Sequence, residues 1–241
     1  MENFIHYNLE IFNAFKSHSK QRDIVDRKSY IVEAVEEFYN HVSDRCLFIG
    51  FNPGILKLAT KKQIYITEVD TVVCDWLKDQ NVKFTHIEKI EDKFDCVVAA
   101  DEYLTFVKDE ASQVAKIMDM CNSSKDLFIT TVKDYKNQEF KEREYSHPAV
   151  IKNNTILSYV EMHDWSQQNR NNWISYLYRL EGTVAACIGS WDRRTLFFKQ
   201  FAKFAYDSGA SDFLVHKNLM YKSILKKNYE HVISVRFEDS N

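Results

Sequence analysis

Glycine and proline are scarce in this chain, at five and two of 241 residues. Few positions can therefore enter left-handed backbone, admit close contact with the main chain, or break an element. Collagen-like and low-complexity classes are excluded on that count. Charge of one sign is missing too: 32 Lys and Arg face 35 Asp and Glu, for a formal net charge of −3. No global bias towards nucleic acid or an anionic membrane follows from that balance. The five cysteines (Cys46, Cys74, Cys96, Cys121 and Cys187) are odd in number and have no Cys-x-x-Cys spacing. They read as free thiols of a reducing compartment, not as a disulfide framework. No apolar run reaches membrane-spanning length. Met1-Glu2-Asn3-Phe4 lacks the basic-then-apolar pattern of a signal peptide, so the expectation is a soluble cytoplasmic protein. A Gly-x-Ser-x-Gly elbow and a Walker phosphate loop are absent. Glu161, His163 and Asp164 form a small acid and imidazole cluster without metal-ligand spacing, so no metal is expected.

What is present is core material: 45% of residues are hydrophobic and 14% aromatic. That suits one generous domain, or a core with an elaborated cover. Three of the scarce residues fall in Gly50-Phe51-Asn52-Pro53-Gly54, directly after the apolar run Cys46-Leu47-Phe48-Ile49. Two readings stand: an ordinary strand-to-helix turn, or a tight turn shaped for a small molecule.

Apolar residues at helical spacing (Phe4, Ile5, Leu9, Phe12, Phe15, then Ile24 to Tyr39) predict two amphipathic helices over residues 1–44, covering a core at 45–241. Short β-branched runs then alternate with helical stretches. Strands are expected at Leu47–Ile49, Ile64–Thr67, Val82–Ile87, Phe94–Ala100 and Leu127–Val132. Helices are expected to Lys61, at Val72–Leu77 and at Tyr103–Cys121. Two-sided apolar strands in repeated βα units indicate a mostly parallel sheet with helices on both faces. The charged stretch Lys133–Glu144 reads as a surface loop or mobile helix. Residues 150–192 then alternate as antiparallel strands. A helix from Arg194 to Tyr206 and two strands, Asp212–Leu219 and Tyr229–Phe237, flanking a Lys-rich turn, close the chain.

This order, with its local motifs, resembles the S-adenosylmethionine-dependent methyltransferase family over roughly residues 25 to 237. Leu47-Phe48-Ile49-Gly50-Phe51-Asn52-Pro53-Gly54 is similar to the family's glycine-rich loop, though Asn52 replaces the middle glycine and Phe48 the usual acid. Ile66-Thr67-Glu68-Val69-Asp70 resembles the second strand with its ribose-binding acid. Phe94-Asp95-Cys96-Val97-Val98-Ala99-Ala100 resembles the fourth strand, which ends beside the transferred methyl group. Residues from Phe201 to Phe213 resemble the penultimate helix and sixth strand.

The resemblance implies a Rossmann-like α/β fold with a seven-stranded, mostly parallel sheet, a closing antiparallel hairpin and a small antiparallel β insertion. It implies S-adenosylmethionine as cofactor, held by Gly50, Phe51, Asn52, Gly54, Asp70, Ile87, Glu88 and Ala100. Asp70 lies twenty residues beyond Gly50; it also suits the N-cap of the next helix, and both readings stay open. Asp101 and Tyr103 are the expected catalytic residues, with Glu102, His147 and His163 as further candidate bases. Trp165, Trp173, Trp191 and Arg193 either hold a small-molecule substrate or fasten the insertion to the sheet. No nucleic-acid or membrane partner is expected. The altered loop leaves a second function open, a catalytically silent module used for binding or assembly.

Overall fold

The structure is a computed structural model that describes residues 2–16, 45–59, 61–99, 102–133, 143–145, 149–152, 156–164, 171–181, 184–216 and 230–238. Five parallel strands form its centre: β1 (Arg45–Ile49), β2 (Gln63–Thr67), β3 (Phe84–His86), β4 (Phe94–Ala99) and β5 (Ser124–Lys133). With β11 (Asp212–His216) and β12 (Glu230–Arg236) they make a seven-stranded sheet in the order β3-β2-β1-β4-β5-β12-β11. β12 runs antiparallel to both β5 and β11. The expected mostly parallel sheet and closing antiparallel hairpin are therefore present.

Strand parity divides the core into two layers. Leu47, Ile49, Val97 and Ala99 face α4 (Glu110–Ser123) and α5 (Phe198–Asp207). Cys46, Phe48, Cys96 and Val98 face α2 (Ile55–Leu58) and α3 (Thr71–Asp79). Phe48, which stands where the family carries an acid, is one of these core residues and is buried. The N-terminal helix α1 (Glu2–Lys16) belongs to both layers: Phe4 and Tyr7 join the first, Phe12 and Phe15 the second. It thus straddles the sheet at the carboxyl end of β1.

A second, antiparallel sheet contains β8 (Ile156–Asp164), β9 (Asn172–Glu181) and β10 (Val184–Arg194), in the order β10-β9-β8. Both β6 (Arg143–Tyr145) and β7 (Ala149–Lys152) pair with β8. A register shift between Cys187 and Gly189 marks a bulge in β10. A Cβ on Gly189 would lie 2.4 Å from the Trp191 ring, so glycine lets that ring lie along its own strand.

Several elements differ from the sequence expectation. Tyr103–Cys121 is not one helix: Tyr103–Thr105 makes a 3₁₀ turn and α4 starts at Glu110. Asp109 sets that start, because its carboxylate accepts the Ser112 N–H at 2.8 Å from an extended backbone. Trp191–Arg194 continue β10 by pairing with Asn172–Ser175, so the following helix begins at Phe198, not Arg194. The charged stretch from Lys133 opens with the last residue of β5 and ends in β6. The expected helix at 24–39, Ala100, Asp101, His147, Trp165 and the Lys-rich turn lie outside the described residues. Among the described residues no helix is long and apolar enough to cross a membrane.

Candidate functional site

Of three neighbouring strands, β1 and β2 are directly followed by a residue in left-handed backbone, and β4 is followed by a 3₁₀ turn whose N-cap is left-handed. The three residues are Gly50 (φ 79), Glu68 (φ 53) and Glu102 (φ 57). Left-handed geometry costs a non-glycine residue roughly 1–2 kcal/mol, so two glutamates at such positions mark a locally strained edge. Gly50 donates its N–H to the Thr67 carbonyl at 2.9 Å, which ties the β1 turn to the end of β2. Asn52, in place of the family's middle glycine, builds the turn with its side chain: Oδ1 accepts the Gly54 N–H at 2.9 Å. Its Nδ2 is buried with no hydrogen-bond partner. Phe51 is buried against Phe12 and Phe15 of α1, and Gly54 stands at the N-cap of α2.

Asp70 and Glu68, both beyond the end of β2, have different partners. Asp70 caps α3, its Oδ1 accepting the Val72 N–H at 2.9 Å. Glu68 directly follows the strand and accepts the Tyr103 hydroxyl at 2.6 Å through Oε1, while Oε2 is buried and has no hydrogen-bond partner among the described residues. Burial first, then the charge and hydrogen bond of Glu68, hold the Tyr103 hydroxyl well above its ordinary pKa, so it remains a donor. Lys116 of α4 lies under the same ring, with Nζ 3.6 Å from its centroid and 3.2 Å from the Tyr103 carbonyl oxygen. Burial lowers its pKa to about 8; Glu68 opposes that fall and Arg193 adds to it. Ile87, next to the end of β3, donates its N–H to the Ile66 carbonyl at 3.0 Å, and Glu88 beside it is exposed.

Glu102 joins the two sheets. Its Oε2 accepts Arg193 Nη2 at 2.9 Å and lies 3.6 Å from Lys133 Nζ, while Oε1 is buried and has no hydrogen-bond partner among the described residues. Arg193 Nε also donates to Thr105 Oγ1 at 2.8 Å, and the guanidinium carbon lies 3.6 Å from the Phe106 ring centroid and 4.7 Å from that of Trp173. Trp173 and Arg193 are therefore brought together, and both are fully buried. With Lys108, Asn172 and Asp192 they line a cavity of about 180 Å³. Trp191 turns towards α1, its ring centroid 5.1 Å from that of Tyr7.

Glu68 and Asn8 were not singled out from the sequence. For Glu68 the signal was its place directly after the last strand residue. For Asn8 it was a lone amide within the aromatic stripe Phe4, Phe12 and Phe15.

No protein-family model matches the chain, and no curated protein matches it. Solved structures do. A S-adenosylmethionine-dependent methyltransferase from Clostridium acetobutylicum is 14% identical, with 87% of this chain and 90% of that chain covered and a TM-score of 0.64. CalS10 from Micromonospora echinaspora, an amino pentose methyltransferase with bound S-adenosylmethionine, is 9% identical over 88% and 91% of the chains, at a TM-score of 0.64. Magnesium protoporphyrin IX methyltransferase from Synechocystis, with bound S-adenosylhomocysteine, is 11% identical over 97% of both, at 0.54. The fold is that of the S-adenosylmethionine-dependent methyltransferases.

At the carboxyl edge of the sheet one feature suits a polar ligand and another opposes it. The buried Glu68 Oε2 and Asn52 Nδ2 provide an acceptor and a donor with no hydrogen-bond partner. Over Gly50, however, α1 is already in contact: a Cβ there would meet Phe4 Cε1 at 2.7 Å and Asn8 Nδ2 at 2.9 Å.

Proposed function

We propose that this chain is an S-adenosylmethionine-dependent methyltransferase acting on a small-molecule acceptor. The observation that carries this reading is the set of left-handed residues after β1, β2 and β4, in which both glutamates keep one buried carboxylate oxygen without a hydrogen-bond partner among the described residues. Buried polar atoms without partners are costly, and a polar ligand at this edge relieves that cost. When bound, the cofactor supplies a methyl group made electrophilic by its sulfonium. Glu68 Oε2 accepts from the ribose hydroxyls, a role that Asp70 leaves to it by capping α3. Tyr103 orients Glu68 through the 2.6 Å hydrogen bond. Gly50, Phe51, Asn52 and Gly54 border the methionine end, and Ile87 with Glu88 the adenine edge. Glu102, Trp173 and Arg193 form the acceptor side, with Trp191 from the same insertion. Methyl transfer asks the protein mainly for alignment, together with a carboxylate able to take a proton from a protonated nucleophile.

Calorimetry with S-adenosylhomocysteine tests the reading. Binding is expected to be lost in Glu68→Ala and kept in Asp70→Ala, each with its circular dichroism unchanged. The absence of heat at millimolar ligand from both the wild-type protein and Asn8→Ala would remove the enzyme. In that case the silent binding module is the better description, a reading favoured by the apolar Phe48 and by the contact of α1 on Gly50.

A further inference from the structure

The glycine of the β1 turn has a structural partner already in place. Gly50 has the left-handed φ of 79 and, in addition, no room for a side chain: an added Cβ would stand 2.7 Å from Phe4 Cε1, 2.9 Å from Asn8 Nδ2 and 3.0 Å from Phe4 Cζ. The backbone that borders the methionine end of the proposed cofactor is thus in contact with α1. Asn8 strengthens that contact. Its Oδ1 accepts the Phe51 N–H at 2.7 Å and its Nδ2 donates to the Phe51 carbonyl at 3.2 Å. A primary amide that pairs with both polar groups of one loop residue is what a polar ligand would do there, and Asn8 is 2% exposed. Such a residue in the middle of an aromatic stripe is costly unless the loop is its counterpart.

The closed arrangement is incomplete. Asn52 Nδ2 and Glu68 Oε2 are buried without a hydrogen-bond partner while α1 is seated. The helix satisfies the Phe51 backbone but not these two groups, so the seated state is strained where a ligand would not be. Phe4 is packed edge-on to Tyr103, at 4.8 Å between centroids and 76° between planes, and Tyr103 holds the other oxygen of Glu68. Helix, tyrosine and carboxylate form one connected set.

We infer that α1 is a built-in occupant of the methionine end of the cofactor cleft, seated on Gly50 by Phe4 and on Phe51 by Asn8, and that it must leave this seat before cofactor binds. The inference rests on the function proposed above and adds a regulatory step to the same site. Apparent affinity is then the intrinsic affinity reduced by the fraction of molecules in which α1 is unseated. Through Tyr7 the helix also touches Trp191, at 5.1 Å between centroids, so its departure reaches the insertion that covers the acceptor side.

The test measures S-adenosylhomocysteine affinity by calorimetry in the full chain for wild type, Asn8→Ala and Phe4→Ala, with Glu10→Gln on the same helix as control. Phe4→Leu replaces Phe4→Ala should the latter unfold. Expected is a gain of about tenfold or more in affinity for the Asn8 and Phe4 variants and none for the control. Hydrogen exchange on the wild-type protein gives an independent readout: amides of residues 5–16 lose protection at saturating ligand. Equal or weaker binding by the variants, or unchanged or increased protection of α1, overturns the plug and leaves the cofactor site intact. No binding by any of the proteins overturns both.

Discussion

Lys116 is a cation held in largely apolar surroundings. Packed under the Tyr103 ring, with its pKa pushed down to about 8, it binds its proton more weakly in the folded protein than in the unfolded chain, where lysine titrates near 10.5. Between those values the unfolded state holds the extra proton, so stability rises with pH through the interval; below pH 8 both states are charged and the cost of burial is present in full. Replacing it by methionine removes that dependence. The stability difference between Lys116→Met and wild type, from urea denaturation, is therefore expected to favour the variant most at pH 7. It should shrink by about 2 kcal/mol by pH 9.5. Buried thiols such as Cys74 and Cys121, whose pKa values are raised by burial, titrate in the opposite sense. They are common to both proteins and cancel in the difference. A difference that stays constant over that range would show that Lys116 remains charged. At this scale the site was only partly legible. The motif after β2 holds two carboxylates two residues apart, and their different partners, Val72 for Asp70 and Tyr103 for Glu68, are visible only in the structure. Lys116 carries no local mark at all, since its environment is made by Tyr103 and Glu68 from other elements.

Elements were read well where their own pattern decides them. β1, β4 and β5 are β-branched runs buried on both sides, and the parity of their side chains follows directly. Misreadings arose where a single polar residue overrides periodicity. Asp109 starts α4 late, and Glu102 bends the chain before it. β10 shows the same effect from a distant partner. Nothing in Gly189-Ser190-Trp191 suggests a continuing strand, yet pairing with β9 carries it to Arg194. Gly189 makes this possible by giving room to the Trp191 ring, which is 2% exposed. Gly189→Ala places a methyl group inside that ring's volume. It is expected to cost about 2 kcal/mol in urea denaturation and to shift tryptophan emission to the red as the indole is displaced. An unchanged emission maximum with undiminished stability would mean that the strand absorbs the methyl group by moving its backbone.

For the molecule as a whole, the alternation of βα units and the late hairpin made the layered sheet legible, because short-range pattern and long-range topology agree. How the second sheet attaches to the first was not legible. That joint depends on Glu102 and Arg193, ninety-one residues apart in sequence. The side chains are 8% and 1% exposed, so the pair is a buried ion pair, with Thr105, Phe106 and Trp173 completing the surroundings of the guanidinium. Removing one partner strands the other charge away from water, a change that typically costs roughly 3–5 kcal/mol, whereas removing both leaves neither charge stranded. Lys133, 3.6 Å from the same carboxylate oxygen, remains to Glu102 when Arg193 is lost, so Arg193→Met should be the milder single change. Glu102→Leu, Arg193→Met and the double variant form a cycle whose coupling, read from urea denaturation, is expected to be on the order of 2 kcal/mol, with the double variant well short of the sum of the singles. Additivity within about 0.5 kcal/mol would mean that the insertion is held by its buried tryptophans alone and that the charge pair serves only the site.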